Sequence, residues 1–162
     1  MSRLIRRCAA AAIGIVVAGP TAATPAAAED PEPIILDPGL ACAFGLRIDI
    51  TGGHFAVRTD TARHKISAGK GTMLTFTNLA TGKTLALTSN GSVERDTFNA
   101  DRTITTVDAL GYNVIILFPT DFPAGPSTTL YVGRVVYTVD AAGVFRIQTH
   151  SGPTTDICAA LS

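Results

Sequence analysis

From Cys42 onward, apolar and polar residues alternate along the chain. In Phe44–Ile50, Phe44, Leu46, Ile48 and Ile50 are apolar, and Gly45, Arg47 and Asp49 stand between them. A period of two sends successive side chains to opposite faces, so this run predicts a strand with one buried face. Gly52-Gly53 can supply the positive φ angles of a tight hairpin turn, after which Phe55 and Val57 resume the alternation. Thr59–Gly71 (TDTARHKISAGKG) breaks it; this most charged stretch predicts a loop or an irregular crossover. Leu74 and Phe76 mark a third strand, and Ala80-Thr81-Gly82-Lys83 turns it into a fourth carrying Leu85 and Leu87. Asn90-Gly91 is the strongest short hairpin signal and leads into Val93–Phe98; Asn99-Ala100-Asp101 precedes a further strand, Arg102–Val107.

The two longest β-branched and aromatic runs follow, Tyr112–Phe118 and Leu130–Val139, with Pro119, Pro123, Gly125 and Pro126 between them. Residues of this kind suit a pleated, half-buried surface, and the proline-glycine link forces a turn, so the pair predicts a central hairpin. Asp140-Ala141-Ala142-Gly143 turns into a last strand with Phe145 and Ile147. About nine short strands joined mostly by hairpin-length turns, with no helical stripe of useful length, predict an all-β domain. Its expected form is an antiparallel β-sandwich or partly closed barrel.

The alternation does not reach the start of the chain. Arg3, Arg6 and Arg7 precede an apolar core, Cys8–Ala18, and Ala26-Ala27-Ala28 offers the small residues of a signal-peptidase cut. These are the three parts of a secretory signal, predicted over residues 1–28, with cleavage after Ala28 or, alternatively, after Ala23. Gly19-Pro20 interrupts the apolar run short of the ~20 residues that a membrane span needs. Leu40-Ala41-Cys42 resembles a lipid-attachment box but lies well past the apolar core. Residues 29–41 form an acidic lead in which Pro31, Pro33 and Pro38 favour extended backbone, a tether or an arm along the fold. Residues 42–162 then form one β-domain.

Charge narrows the partners. The 13 basic and 13 acidic residues balance, and no basic stripe is present to neutralise phosphates, which argues against nucleic acid. Once Cys8 leaves with the signal, Cys42 and Cys158 remain, and two cysteines in an exported chain most often pair. Such a bridge would close a loop worth ~4–5 kcal/mol in the chain-entropy picture.

Catalytic grammar is sparse. Gly82-Lys83-Thr84 has Thr77 where a phosphate-binding loop needs glycine, and a strand follows it where a helix should. No Gly-x-Ser-x-Gly or His-Glu-x-x-His occurs. His54, His64 and His150 lie far apart without ligand-spaced partners, so neither a metal nor a cofactor is expected. Without tryptophan, and with Tyr112, Tyr131 and Tyr137 all in strands, an aromatic platform is not expected either. Asp60, Arg63 and His64 share the charged stretch, where a carboxylate could orient an imidazole, or a loop could bind a ligand.

The run Leu117–Asp140 (LFPTDFPAGPSTTLYVGRVVYTVD), with the ending Thr155–Leu161 (TDICAAL), resembles a group of small exported proteins from actinobacteria. The likeness extends over Cys42–Ser162 and implies export and a β-fold; it carries no catalytic residue. The expectation is a secreted, non-enzymatic β-domain that binds a protein or a small-molecule ligand at or outside the cell envelope, with no membrane span after signal cleavage. Two alternatives stand beside it: a small extracellular hydrolase with a dispersed site at Asp60 and His64, and a protease inhibitor presenting Phe118–Thr129 as a rigid loop.

Overall fold

The computed structural model describes residues 31–162, so the expected signal lies outside the described residues. Within them, nine antiparallel strands form one strongly curled half-barrel sheet with one short helix. The strands are β1 (Ile34–Leu36), β2 (Leu46–Asp60), β3 (His64–Asn78), β4 (Thr84–Thr88), β5 (Ser92–Phe98), β6 (Ile104–Leu117), β7 (Ser127–Val139), β8 (Phe145–Ser151) and β9 (Thr154–Asp156); α1 is Ile157–Leu161. Pairing runs β1-β2-β3-β5-β6-β7-β8, with β4 added to β3 and β9 to β7. The all-β, antiparallel expectation holds, in the partly closed form.

The strands run longer than the alternation indicates. Gly52-Gly53 is not a turn, because β2 continues through it and pairs with β3 from Leu46↔Asn78 to Asp60↔Lys65. The chain reverses instead at Thr61, whose N–H donates to the His64 carbonyl over 2.8 Å while its Oγ1 accepts from the His64 N–H over 3.0 Å. The stretch Thr59–Gly71, expected as a loop or crossover, is therefore the end of β2, a tight turn and the first half of β3. Solvent reaches much of this end of the sheet, so charged side chains sit on strand positions without breaking the ladder.

Asn90-Gly91 closes no hairpin. β4 and β5 both run antiparallel to β3, β4 along Met73–Thr77 and β5 along His64–Gly69. They are one pass of the chain, interrupted between Thr88 and Ser92. Arg102–Val107 and Tyr112–Phe118, expected as separate strands, merge into β6 because Leu110 and Gly111 stay in the ladder opposite Arg134 and Gly133. The acidic lead contributes β1, an arm paired with Leu46–Ile48.

A line of glycines with positive φ crosses the sheet, one from each pass of the chain: Gly53, Gly71, Gly91, Gly111, Gly133 and Gly152. Only glycine adopts such angles without a Cβ penalty, and the ladders hold them at matching levels of neighbouring passes, with Gly111 opposite Gly133 and beside Gly91. On one side of this crease β6 pairs with β5. On the other side β4 stays with β3, whereas β6 stays with β7. Leu74, Leu87, Tyr112, Val114 and Leu130 line the cleft opened between them, and a cavity of about 40 Å³ remains.

Alternation on β6 and β7 then serves two cores. Val114, Ile116, Leu130 and Val132 pack with Leu46, Ile48, Phe76, Ile157 and Leu161 on one face. Val107, Ala109, Ile115, Leu117 and Val135 pack with Tyr131, Tyr137, Phe145 and Ile147 on the other. The first core is sealed by α1, held by a disulfide between Cys42 and Cys158. Asn78 Nδ2 donates to the Leu161 carbonyl over 3.1 Å, Lys83 Nζ to the Ser162 carbonyl over 2.7 Å, and Asp156 caps the helix by accepting from the Ala159 N–H over 2.9 Å.

Candidate functional site

The β2–β3 hairpin end carries the candidate site. Thr59 stands opposite Ile66, Ile66 opposite Arg95, and His64 opposite Thr97. Directly opposed residues in a ladder share a face, so Thr59, Ile66, His64 and Arg95 lie on one side of the sheet. Together with Thr61 they line an open groove of about 320 Å³. The register shift between Val57 and Thr59 makes this alignment, because the extra residue re-aims Thr59 toward the groove.

Of the three residues singled out in the sequence, His64 alone lines this groove. Asp60 is held by Arg102, whose Nη2 donates to Asp60 Oδ1 over 2.7 Å and whose Nη1 donates to the Thr61 carbonyl over 2.8 Å. The same guanidinium lies 4.7 Å above the Phe98 ring centroid. Arg63 contributes its carbonyl, which accepts from the Phe98 N–H over 2.8 Å. The hairpin tip is thus stitched to the β5–β6 turn by Arg102. No serine or carboxylate is among the residues that line the groove.

Arg95 is the positive charge of the groove. It is exposed, and among the described residues it forms no ion pair. Its nearest acidic neighbour is already committed: Arg134 Nε and Nη2 donate to the two Asp108 oxygens, each over 2.8 Å. The bonds from Arg134, with the charges of Arg134 and Arg95 behind them, hold the Asp108 carboxyl below the usual carboxylate range against the opposing effect of its partial burial. A guanidinium presents several donors in a planar fork that matches a carboxylate or phosphate edge. The groove therefore offers a cationic fork, an imidazole and the Thr59 hydroxyl above the apolar side chain of Ile66, while the Thr61 hydroxyl is taken up in the turn, donating to the His64 carbonyl over 3.0 Å.

The sequence does carry a signal for Arg95. In Val93-Glu94-Arg95-Asp96 a period of two separates the arginine from both carboxylates, and that separation leaves it without a partner on its own strand.

The remaining sequence candidates are spread over the molecule. His54 pairs with Lys70 in the β2–β3 ladder, and His150 packs edge-on against Tyr131 at 5.3 Å between centroids. Among the described residues no group of three or more His, Cys, Asp or Glu is placed to hold a metal ion. The Phe118–Thr129 segment is pinned at several points. Buried Asp121 accepts from the N–H groups of Phe118 and Phe145, each over 2.7 Å, and Thr128 Oγ1 donates to the Ala41 carbonyl over 3.0 Å. Phe122 stays half exposed, with the Arg146 guanidinium 3.8 Å above its ring.

Comparison with protein-family models, with curated proteins and with solved structures finds no match for this chain.

Proposed function

We propose that the protein is an exported, non-enzymatic binding domain that captures an oxyanion-bearing ligand in the groove between Thr59, His64 and Arg95. The single observation that carries this is the exposed Arg95 guanidinium, without an ion pair among the described residues and set beside an imidazole and the Thr59 hydroxyl. The ligand class follows from that chemistry: a carboxylate, phosphate or sulfate group bound by the fork, with an apolar portion laid on Ile66. The resemblance to exported proteins and the signal pattern at residues 1–28 support a location outside the cell. The Cys42–Cys158 disulfide is in keeping with an oxidising compartment.

The test is a calorimetric titration with phenyl phosphate, with benzyl alcohol as the neutral counterpart. The anion is expected to bind and the alcohol not. Arg95→Ala is expected to weaken the anion at least tenfold, since a hydrogen bond to a charged group is worth about 1.5–3 kcal/mol. Equal binding of both compounds, or an unchanged affinity in Arg95→Ala, would overturn the assignment.

A further inference from the structure

The alternation that turns Arg95 to the groove turns Glu94 and Asp96 to the opposite face. There Glu94 stands opposite Ser67 and Ala109, and Asp96 opposite Lys65 and Val107. Val107 and Ala109 continue the rows to Tyr137 and Val135 on β7. Two carboxylates therefore lie on one face of one strand, above an apolar floor and beside a single lysine.

Their bonding is incomplete. Asp96 is 2% exposed, and its Oδ2 lies 3.5 Å from Lys65 Nζ. Its other oxygen, Oδ1, is buried without a hydrogen-bond partner. A buried carboxylate oxygen without a donor is costly, and adjacent carboxylates that share a site do not both ionise. Glu94 is the next side chain on that face of β5, and its carboxyl, when protonated, is a donor available to that oxygen from the same strand. Burial first, and then the neighbouring Asp96, push Glu94 up to about 7 against the opposing pull of Lys65. Tyr137 is pushed upward by burial and by both carboxylates, so its hydroxyl keeps its proton. The groups facing the pair are Lys65 and the buried Ser67 from β3 and Tyr137 from β7, while β6 presents Val107 and Ala109. Asp60 of β2, opposite Lys65 in register, is taken by Arg102.

We propose that Glu94 and Asp96 share one proton across the buried Oδ1 of Asp96, and that this proton makes the β3-β5-β6-β7 end of the sheet a pH-sensitive clasp. With the proton in place, the pair and Lys65 sum to no net charge. When it leaves to solvent, the buried oxygen faces a second negative charge on its own strand. The linkage sign follows from the raised pKa of Glu94. Below the ordinary glutamate range, folded and unfolded chains are both protonated and the contribution is complete. As pH rises from about 4.5 to about 7, the unfolded chain gives up the proton first, and stability is lost. This clasp lies on the face of β5 away from Arg95, and it stands whether or not the groove binds an anion.

The test is thermal unfolding at pH 5 and pH 8 of the chain and of Glu94→Gln, whose amide can donate to Asp96 without titrating. The unaltered chain is expected to lose about 5 °C more than Glu94→Gln between these pH values. A carboxyl-carbon NMR titration provides a second readout that does not depend on the variant folding, and the Glu94 resonance is expected to move with a midpoint near 7. A Glu94 midpoint below 5, or an equal pH response in the two proteins, would overturn the shared proton. So would a rise in melting temperature on adding calcium at pH 8 that Glu94→Gln abolishes, since a cation would then be the missing partner of Oδ1.

Discussion

Gly111 and Gly133 face each other across the β6–β7 ladder, both at positive φ, 95° and 127°. A β-carbon on Gly111 would overlap the carbonyl oxygen of Gly91, and one on Gly133 would overlap that of Ser151. At these two positions of the crease, neighbouring backbones therefore approach too closely for any side chain. Gly111→Ala meets both the φ penalty and the clash and is expected to lower stability by about 2–4 kcal/mol. Gly82, at φ 76° with nothing within 4 Å, meets only the first. Gly82→Ala is expected to cost about 1 kcal/mol, as one left-handed residue does. Urea unfolding of the two variants checks the contrast, and equal losses would mean that the crease is not a close approach.

The disulfide joins the segment before β2 to α1, which seals one of the two cores. Reduction is expected to lower the urea midpoint by the equivalent of about 2–5 kcal/mol. Amide exchange should rise first at Ile157–Leu161 and then at the cleft residues Leu87 and Leu130 beneath it. Protection that falls uniformly over the sheet would show that α1 is not a separate plug.

Asp121 is 2% exposed and accepts two backbone N–H groups from segments far apart in the chain. Asp121→Ala leaves the N–H groups of Phe118 and Phe145 without this acceptor, and the expected loss is about 2–4 kcal/mol. Asp121→Asn keeps one carbonyl oxygen and should recover part of it. Equal losses in the two variants would show that the hydrogen bonds are not what the site depends on.

The period-two pattern reveals the fold class because half-buried strands impose it, as in Leu46, Ile48 and Ile50 against Phe76 and Leu74. It misleads where glycine stands within one pass of the chain without turning it back. Gly52-Gly53 and Asn90-Gly91 carry the composition of hairpin turns, and what separates a crease from a turn is whether neighbouring strands bend at the same level. That is a relation between strands distant in the chain, which local pattern does not contain. His64 was legible as a groove residue because it sits in a charged, hydroxyl-bearing hairpin. The pairing of Asp60 with Arg102 was not, because it depends on the β5–β6 turn returning to the same end of the sheet. The buried state of Asp96 was hidden in the same way: an acidic residue at a strand position reads as solvent-facing until the neighbouring strands cover it.

The most direct measurement of the central claim is an amide shift map of the isotopically labelled chain titrated with phenyl phosphate. The account predicts saturable shifts confined to Thr59–Ile66 and to the amides around Arg95, absent in Arg95→Ala. Shifts gathered instead along the second, 410 Å³ groove beside the crease, at Ala68, Lys70, Val93 and Leu110, would contradict it, as would no saturable shift at all.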